Sequence, residues 1–292
     1  MSTEPTDEDL ATGEEQEFCY GHPRTPTRLH CSRCDRPICG RCAIPATVGQ
    51  HCPECVAEAR RSAPKVRTAL AASAPITRAI LILTVLVFAG QILIPGLTNL
   101  LGMRPDLAAD GEWWRFVTPM LVHGGAFHLL MNGYVLFAIG PAVEQRYGSA
   151  RFAAIYLLAG IGGSVASFAL NDCGILGVGA SGAILGLLGA LIADLYQRRS
   201  SPNARMQLKS MLQWVGFIFA FGIVTQVLAA LGVAFFLIDN YAHGGGLVTG
   251  AVLGWALGTE AEPLTPRSVF ISLALGVAVV TVVAARIADF SC

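Results

Sequence analysis

The chain has 292 residues, of which 53% are hydrophobic and only 14% charged, with acidic and basic side chains in equal number. A mean hydropathy of +0.56 lies outside the range of ordinary soluble domains and indicates a membrane protein. With zero net charge there is no electrostatic footprint for nucleic acid, so no such partner is expected.

The first segment, 1–17, is polar with an acidic run from Glu4 to Glu17, and is expected to be disordered. It carries no apolar stretch of the kind a cleavable signal needs. Residues 18–58 then hold seven of the nine cysteines, in four chelating pairs: Cys19-x2-His22, Cys31-x2-Cys34, Cys39-x2-Cys42 and Cys52-x2-Cys55. A two-residue spacer lets both side chains of a pair turn toward one ion, and two pairs complete the tetrahedral set that structural Zn²⁺ prefers. A disulfide framework is the alternative, but it would not persist in the reducing cytosol where the charge pattern below puts this segment. Interleaved pairs predict a cross-braced domain with two zinc ions, the first and third pairs on one, the second and fourth on the other. With so few apolar residues, ligation must supply most of its folding free energy. This segment resembles a B-box-type zinc finger, and His30 and His51, each beside a ligand cysteine, are read as bystanders. Its ions are structural. A cytosolic protein partner, the cytoplasmic tail of a substrate, or assembly are the roles open to it. Residues 59–75 read as a linker at the membrane surface, whose basic residues suit anionic lipid headgroups.

Seven apolar segments follow, near Ile76–Ile94, Phe127–Val143, Phe152–Leu170, Ser181–Gln197, Met211–Leu228, Asp239–Leu257 and Ser268–Ala288. Each is close to the ~20 residues a helix needs to cross a bilayer. Ala229–Ile238 is read as an outer loop. Short cytoplasmic loops collect Lys and Arg. An inside N-terminus puts Arg60, Arg61, Lys65, Arg67 and Arg78, then Arg146 and Arg151, then Arg198, Arg199, Arg205 and Lys209, and finally Arg267 on the cytoplasmic side. Only Arg104, Arg115 and Arg286 are left outside, with Cys173 and Cys292, which are given no role and expected to be free rather than paired.

Polar residues inside such spans are costly, and each begins as a functional candidate. His123, His128 and Asn132 open the second span, Ser181 the fourth and His243 the sixth. These three spans all run from outside to inside, so the clusters lie at similar depth near the outer face and can meet. Ser181 needs a base to become nucleophilic, and His243 is the one histidine on the late helices. The negative charge of a tetrahedral intermediate needs placed donors, which His128, the Asn132 amide and the Ser181 N–H at a helix N-terminus can supply. His128 and Asn132, four apart, share a helical face.

Together, Glu112-Trp113-Trp114-Arg115, His128-x3-Asn132, Gly179-x-Ser181-Gly182 and Ala242-His243-x2-Gly246-x3-Gly250 resemble the rhomboid proteases over 76–290. The resemblance implies an all-α polytopic fold, a six-helix core plus a C-terminal seventh transmembrane helix, preceded here by the small zinc-binding domain. It implies a Ser181–His243 dyad, an oxyanion hole of His128, Asn132 and Ser181, and no metal in the chemistry. It further implies cleavage of single-span membrane proteins within the lipid bilayer, near the outer face. The plasma membrane is the expected location, with the C-terminus outside. One departure is Leu185, where the family often places an aromatic residue against the base histidine.

Simpler roles remain for several residues. Gly246, Gly250, Gly254 and Gly258 read as a helix-packing seam that shares a face with His243. His123 is read as structural, Trp113 and Trp114 as interfacial anchors, Arg115 as a tie on the first outer loop, and Asp239 as a helix cap. Two other classes compete: a transporter, which predicts midplane polar clusters and an internal repeat, and a catalytically silent rhomboid-like binding or trafficking protein.

Overall fold

The computed structural model describes residues 16–46, 48–62, 73–233 and 237–289, in two compact units divided near residue 66. The acidic run before Gln16, most of the linker and Cys292 lie outside the described residues.

The N-terminal unit is built from two short hairpins and a helix. Strands β1 (Phe18–Cys19) and β2 (His22–Pro26) pair antiparallel, as do β3 (Ile44–Pro45) and β4 (Gln50–His51), and α1 (Pro53–Ser62) follows. Its interior is six of the seven cysteines with Ile38, and Tyr20, Cys34 and Ala43 packed against them. So small an apolar core leaves side-chain ligation as the main source of stability. Arg36 pairs with Glu54 at 2.5 Å and Arg33 donates to the Cys55 carbonyl at 3.2 Å, tying α1 to the second cysteine pair.

The second unit is helical. Long helices α2 (Pro75–Leu93), α5 (Ala126–Tyr147), α6 (Ser149–Leu170), α7 (Ser181–Gln197), α8 (Pro202–Ala230), α9 (Asn240–Leu257) and α10 (Pro266–Ala288) fall on the seven expected segments, with short α3 (Leu97–Leu101) and α4 (Pro105–Ala109) between the first two. Local chemistry sets their ends. Pro occupies the first turn of α2, α8 and α10, and Thr265 and Ser268 form a capping box at α10. Gly148, at φ +77°, separates α5 from α6. α8 begins nine residues before the expected Met211, because the polar turn from Pro202 continues the helix beyond the apolar window. α5 runs four residues past Val143 to Tyr147.

Five of these helices, α2, α5, α6, α8 and α10, are long and apolar enough to cross a membrane, and the chain is a multi-pass membrane protein. The two expected spans that miss this mark are α7, with 17 residues, and α9, rich in glycine and carrying Asn240, His243 and Thr249. α7 packs on α9, α6 and α8, and α9 chiefly on α7 and α6, with Tyr241, Val248 and Trp255 left as an exposed stripe on its outer side. Close packing on neighbours lets the inner face of such a helix carry small and polar residues.

Glycine makes this packing close. A Cβ on Gly246 would stand 2.0 Å from the Gly182 carbonyl oxygen, and one on Gly250 2.0 Å from that of Gly186. The seam expected on α9 therefore meets α7. Gly258 does not belong to it: at φ +62° it ends α9, and a Cβ there would meet Glu262.

Candidate active site and metal centres

Ser181 is the first residue of α7 and His243 lies one turn into α9. The glycine seam holds these two backbones together at that level, and the His243 Nε2 to Ser181 Oγ distance is 2.8 Å. The histidine is buried, the serine half-buried. Among the described residues, Nδ1 of His243 has no hydrogen-bond partner. Asp239 is engaged elsewhere: one oxygen caps α9 by accepting from Ala242 N at 2.9 Å, and the other accepts from Ser167 Oγ at 2.6 Å and Asn171 Nδ2 at 2.9 Å. The helix-cap reading of this residue holds.

The segment before Ser181 is fixed backbone to backbone. Gly177 and Met103 exchange two hydrogen bonds of 2.8 and 2.9 Å, and Gly179 N donates to the Pro119 carbonyl at 2.9 Å. Gly179, at φ +119°, has His128 where a side chain would be: a Cβ would sit 2.7 Å from its Cε1 and 2.8 Å from its Nε2. The motif glycine thus serves both the turn and the close approach of this ring. Gly124 N donates toward His128 Nδ1 at 3.4 Å, an arrangement that assigns the proton to Nε2, on the side facing Gly179. Asn132 is buried and donates one amide hydrogen to the His128 carbonyl at 2.9 Å. The backbone N–H groups in the first turn of α7 have no partner within their helix, and Ala180 supplies no side-chain cap.

Supporting residues extend this shell. His123 is buried edge-on to His128, with centroids 5.1 Å apart, and accepts from Ala180 N at 3.5 Å. Arg115 is buried and donates to the Asn99 and Gly102 carbonyls at 2.7 and 2.5 Å, tying down the outer loop as its position suggested. Trp113 and Trp114 are exposed. Cys173 is disulfide-bonded, contrary to the expectation of a free thiol.

Sequence reasoning missed three positions. Gln91 of α2 bonds both the N–H and the carbonyl of His123, at 3.0 and 2.9 Å, bracing the loop that leads to His128. Glu144, buried in α5, accepts from Ile76 N, Thr77 N, Thr77 Oγ1 and Ser149 Oγ, and so caps α2 from another helix. Phe219 of α8 stands edge-on to His243, at a centroid distance of 6.4 Å. Only Glu144 left a trace in the sequence, as a lone carboxylate near a span end. Leu185 is buried, and the aromatic ring against His243 comes from α8 instead.

In the N-terminal unit, Cys19, His22, Cys39 and Cys42 form one cluster and Cys31, Cys34, Cys52 and Cys55 another, each with its ligand atoms within 4.8 Å of one another. Four thiolates about 2.3 Å from a tetrahedral Zn²⁺ lie about 3.8 Å apart. The Cys19–Cys42 and Cys34–Cys52 Sγ separations are both 3.8 Å, and His22 Nδ1 lies 3.3 Å from Cys42 Sγ and 3.4 Å from Cys39 Sγ. Both sets therefore fit a tetrahedral dication. Burial acts to raise the Cys19 thiol, but the Cys39 N–H and the His22 ring outweigh it and bring it to about 6, while burial and its cysteine neighbours push Cys42 up to about 11. His30 pairs instead with Glu17 at 2.6 Å, and neither it nor His51 joins a cluster.

These features define a class: a multi-pass helical membrane protein in which two closely packed helices, α7 and α9, bring a serine and a histidine into hydrogen bond. Residues 110–260 match the Rhomboid domain family, about half of the chain, and the chain belongs to the rhomboid family. It is 42% identical over 155 residues to Rhomboid protease GluP of Bacillus subtilis (strain 168), covering 52% of this chain and 28% of that protein. It is 38% identical over 147 residues to RHOMBOID-like protein 6, mitochondrial, of Arabidopsis thaliana, covering 50% and 44%. Over 84 residues it is 44% identical to Putative rhomboid protease YdcA of Bacillus subtilis (strain 168), covering 29% and 42%. The chain thus spans less than half the length of these relatives.

Proposed function

We propose that this protein is an intramembrane serine endopeptidase that cuts single-span membrane proteins near the outer face. The observation that carries this reading is the 2.8 Å bond between Ser181 Oγ and His243 Nε2 at the start of α7. Nε2 takes the hydroxyl proton as Oγ attacks the scissile carbonyl, giving a tetrahedral oxyanion. His128 Nε2–H, the second amide hydrogen of Asn132 and the Ser181 N–H are the donors assigned to that oxygen. His243 then passes the proton to the leaving amine, the C–N bond breaks, and an acyl-enzyme ester remains. Water, deprotonated by His243, attacks the ester, and collapse returns the proton to Ser181 Oγ. The substrate helix must unwind locally, since a helical carbonyl is already hydrogen-bonded, so cuts fall beside helix-breaking residues.

The N-terminus is cytoplasmic and the membrane is the plasma membrane on this reading. The basic flanks support it, and so does the bonded Cys173 in the loop between α6 and α7, since disulfides persist in oxidising compartments. Two structural Zn²⁺ ions hold the N-terminal unit, one on each cluster. The test is cleavage of a single-span substrate in liposomes by wild type, Ser181→Ala and His243→Ala. Cleavage by wild type alone supports the dyad. An inactive wild type that a serine-directed probe fails to label would instead indicate a silent, binding member of the family.

A further inference from the structure

The base histidine is held on one side only. Its Nε2 meets Ser181, its Nδ1 has no partner among the described residues, and Asp239, which caps its helix, is committed to Ala242, Ser167 and Asn171. What flanks the ring instead is Phe219, edge-on at 6.4 Å, whose Cε1 and Cζ would also lie 3.8 and 3.9 Å from a Cβ on Gly244.

The placement of that phenyl ring is itself built. Three residues before His243, Asn240 donates from Nδ2 to the Phe219 carbonyl at 3.2 Å. Three residues after Phe219, Gly222 leaves room for the same side chain: a Cβ there would lie 2.2 Å from Asn240 Oδ1. The two helices are antiparallel, so Asn240 opposes Gly222 and His243 opposes Phe219 over the same three-residue step, about 4.5 Å at 1.5 Å per residue. Few residues of α8 are buried, Ala204, Gly222 and Thr225 among them, and it packs on α7 as well as α9. The Asn240 and phenyl contacts with α9 both fall on the turn between Phe219 and Gly222.

We propose that Phe219 is a positioning residue for His243, fixing the imidazole plane toward Ser181, and that the Asn240–Gly222 contact keeps it there, so that the geometry of the base depends on how α8 is seated. This rests on the proteolytic reading for its consequence in rate, but not for its effect on the ring. The geometric preference of an aromatic pair corresponds to roughly two- to twelve-fold in rate.

The test uses the full chain in nanodiscs and liposomes, with Phe219→Leu and Phe219→Tyr. Histidine is isotopically labelled, and the His243 ring signal is assigned by its loss in His243→Gln. In Phe219→Leu the His243 ring-proton signal should shift as the ring current is lost, with kcat down roughly two- to twelve-fold and KM within about twofold. Phe219→Tyr should retain the signal and most of kcat. An unmoved His243 signal in Phe219→Leu overturns the proposal, and so does a Tyr variant as impaired as the Leu variant. If wild type cleaves nothing and escapes a serine probe, the proteolytic reading fails while the ring signal still decides the positioning role.

Discussion

Gly246→Ala adds one methyl group where α9 crosses α7. Its Cβ would lie 2.0 Å from the Gly182 oxygen, 2.6 Å from that carbonyl carbon and 3.0 Å from the Gly182 Cα. All three are backbone atoms and cannot rotate away. Ordinary contact begins near 3.5 Å, so the helices must part by about 1 Å or more. Ser181 adjoins Gly182 and His243 lies one turn before Gly246 on the same face, so the 2.8 Å bond between them opens toward 4 Å, outside hydrogen-bond range. A misplacement of about 1 Å costs on the order of 10²-fold in rate, and overpacking costs about 1–3 kcal/mol in stability. Single-turnover cleavage in liposomes and thermal unfolding in detergent read the two separately. Gly276→Ala on α10, where a Cβ meets nothing within 4 Å, is the control and should cleave as wild type. A Gly246→Ala protein within about threefold of wild type in kcat would refute the view that this backbone contact sets the catalytic distance.

Asp239→Asn keeps an acceptor for the α9 cap and should leave kcat within about tenfold, whereas loss of a true third triad member costs about 10⁴-fold, so a pre-steady-state assay separates the roles. Glu144→Gln removes the charge that receives four donors of α2 and its neighbourhood; a loss of about 1–3 kcal/mol in reversible unfolding is expected, and an unchanged midpoint would rule out the cap as a stabiliser. Elemental analysis should find two zinc ions per chain, and Cys31→Ala should lower the count and disorder the N-terminal unit while cleavage by the membrane unit persists. Because the ligands must be thiolates and bind in competition with protons, zinc affinity should fall as pH drops; release that grows on raising pH would contradict this ligation.

The elements legible in the sequence were those with a local signature. Four x2-spaced pairs announced the two clusters, and apolar length announced the helices, most of them within a few residues of where they lie. Asp239 and Thr265 precede helices with side chains suited to cap them. What stayed hidden depends on which helix faces which. Nothing near Phe219 indicates that it will face a histidine 24 positions later. Gln91 and Glu144 act on backbone groups 32 and 67–68 residues away. A strict measure of apolar length leaves out α7, short at 17 residues, and α9, diluted by glycine, Asn240, His243 and Thr249, although both were read as spans.

That omission points to how the site is made affordable inside a membrane. A hydroxyl and an imidazole facing hydrocarbon would each carry a desolvation cost. Here they sit on α7 and α9, which pack closely on one another and on α6, and the glycine seam that lets α7 and α9 touch brings Ser181 and His243 to bonding distance. The same closeness makes this pair of helices intolerant of added volume, as the contacts of Gly182, Gly186, Gly246 and Gly250 require. α8 is sparsely buried along its 29 residues, packing on α7 and fastened to α9 around Asn240. On the proteolytic reading proposed above, the rigid α7–α9 pair holds nucleophile and base at bonding distance, and the placement of Phe219 on the sparsely buried α8 makes the wall beside the base depend on how that helix is seated.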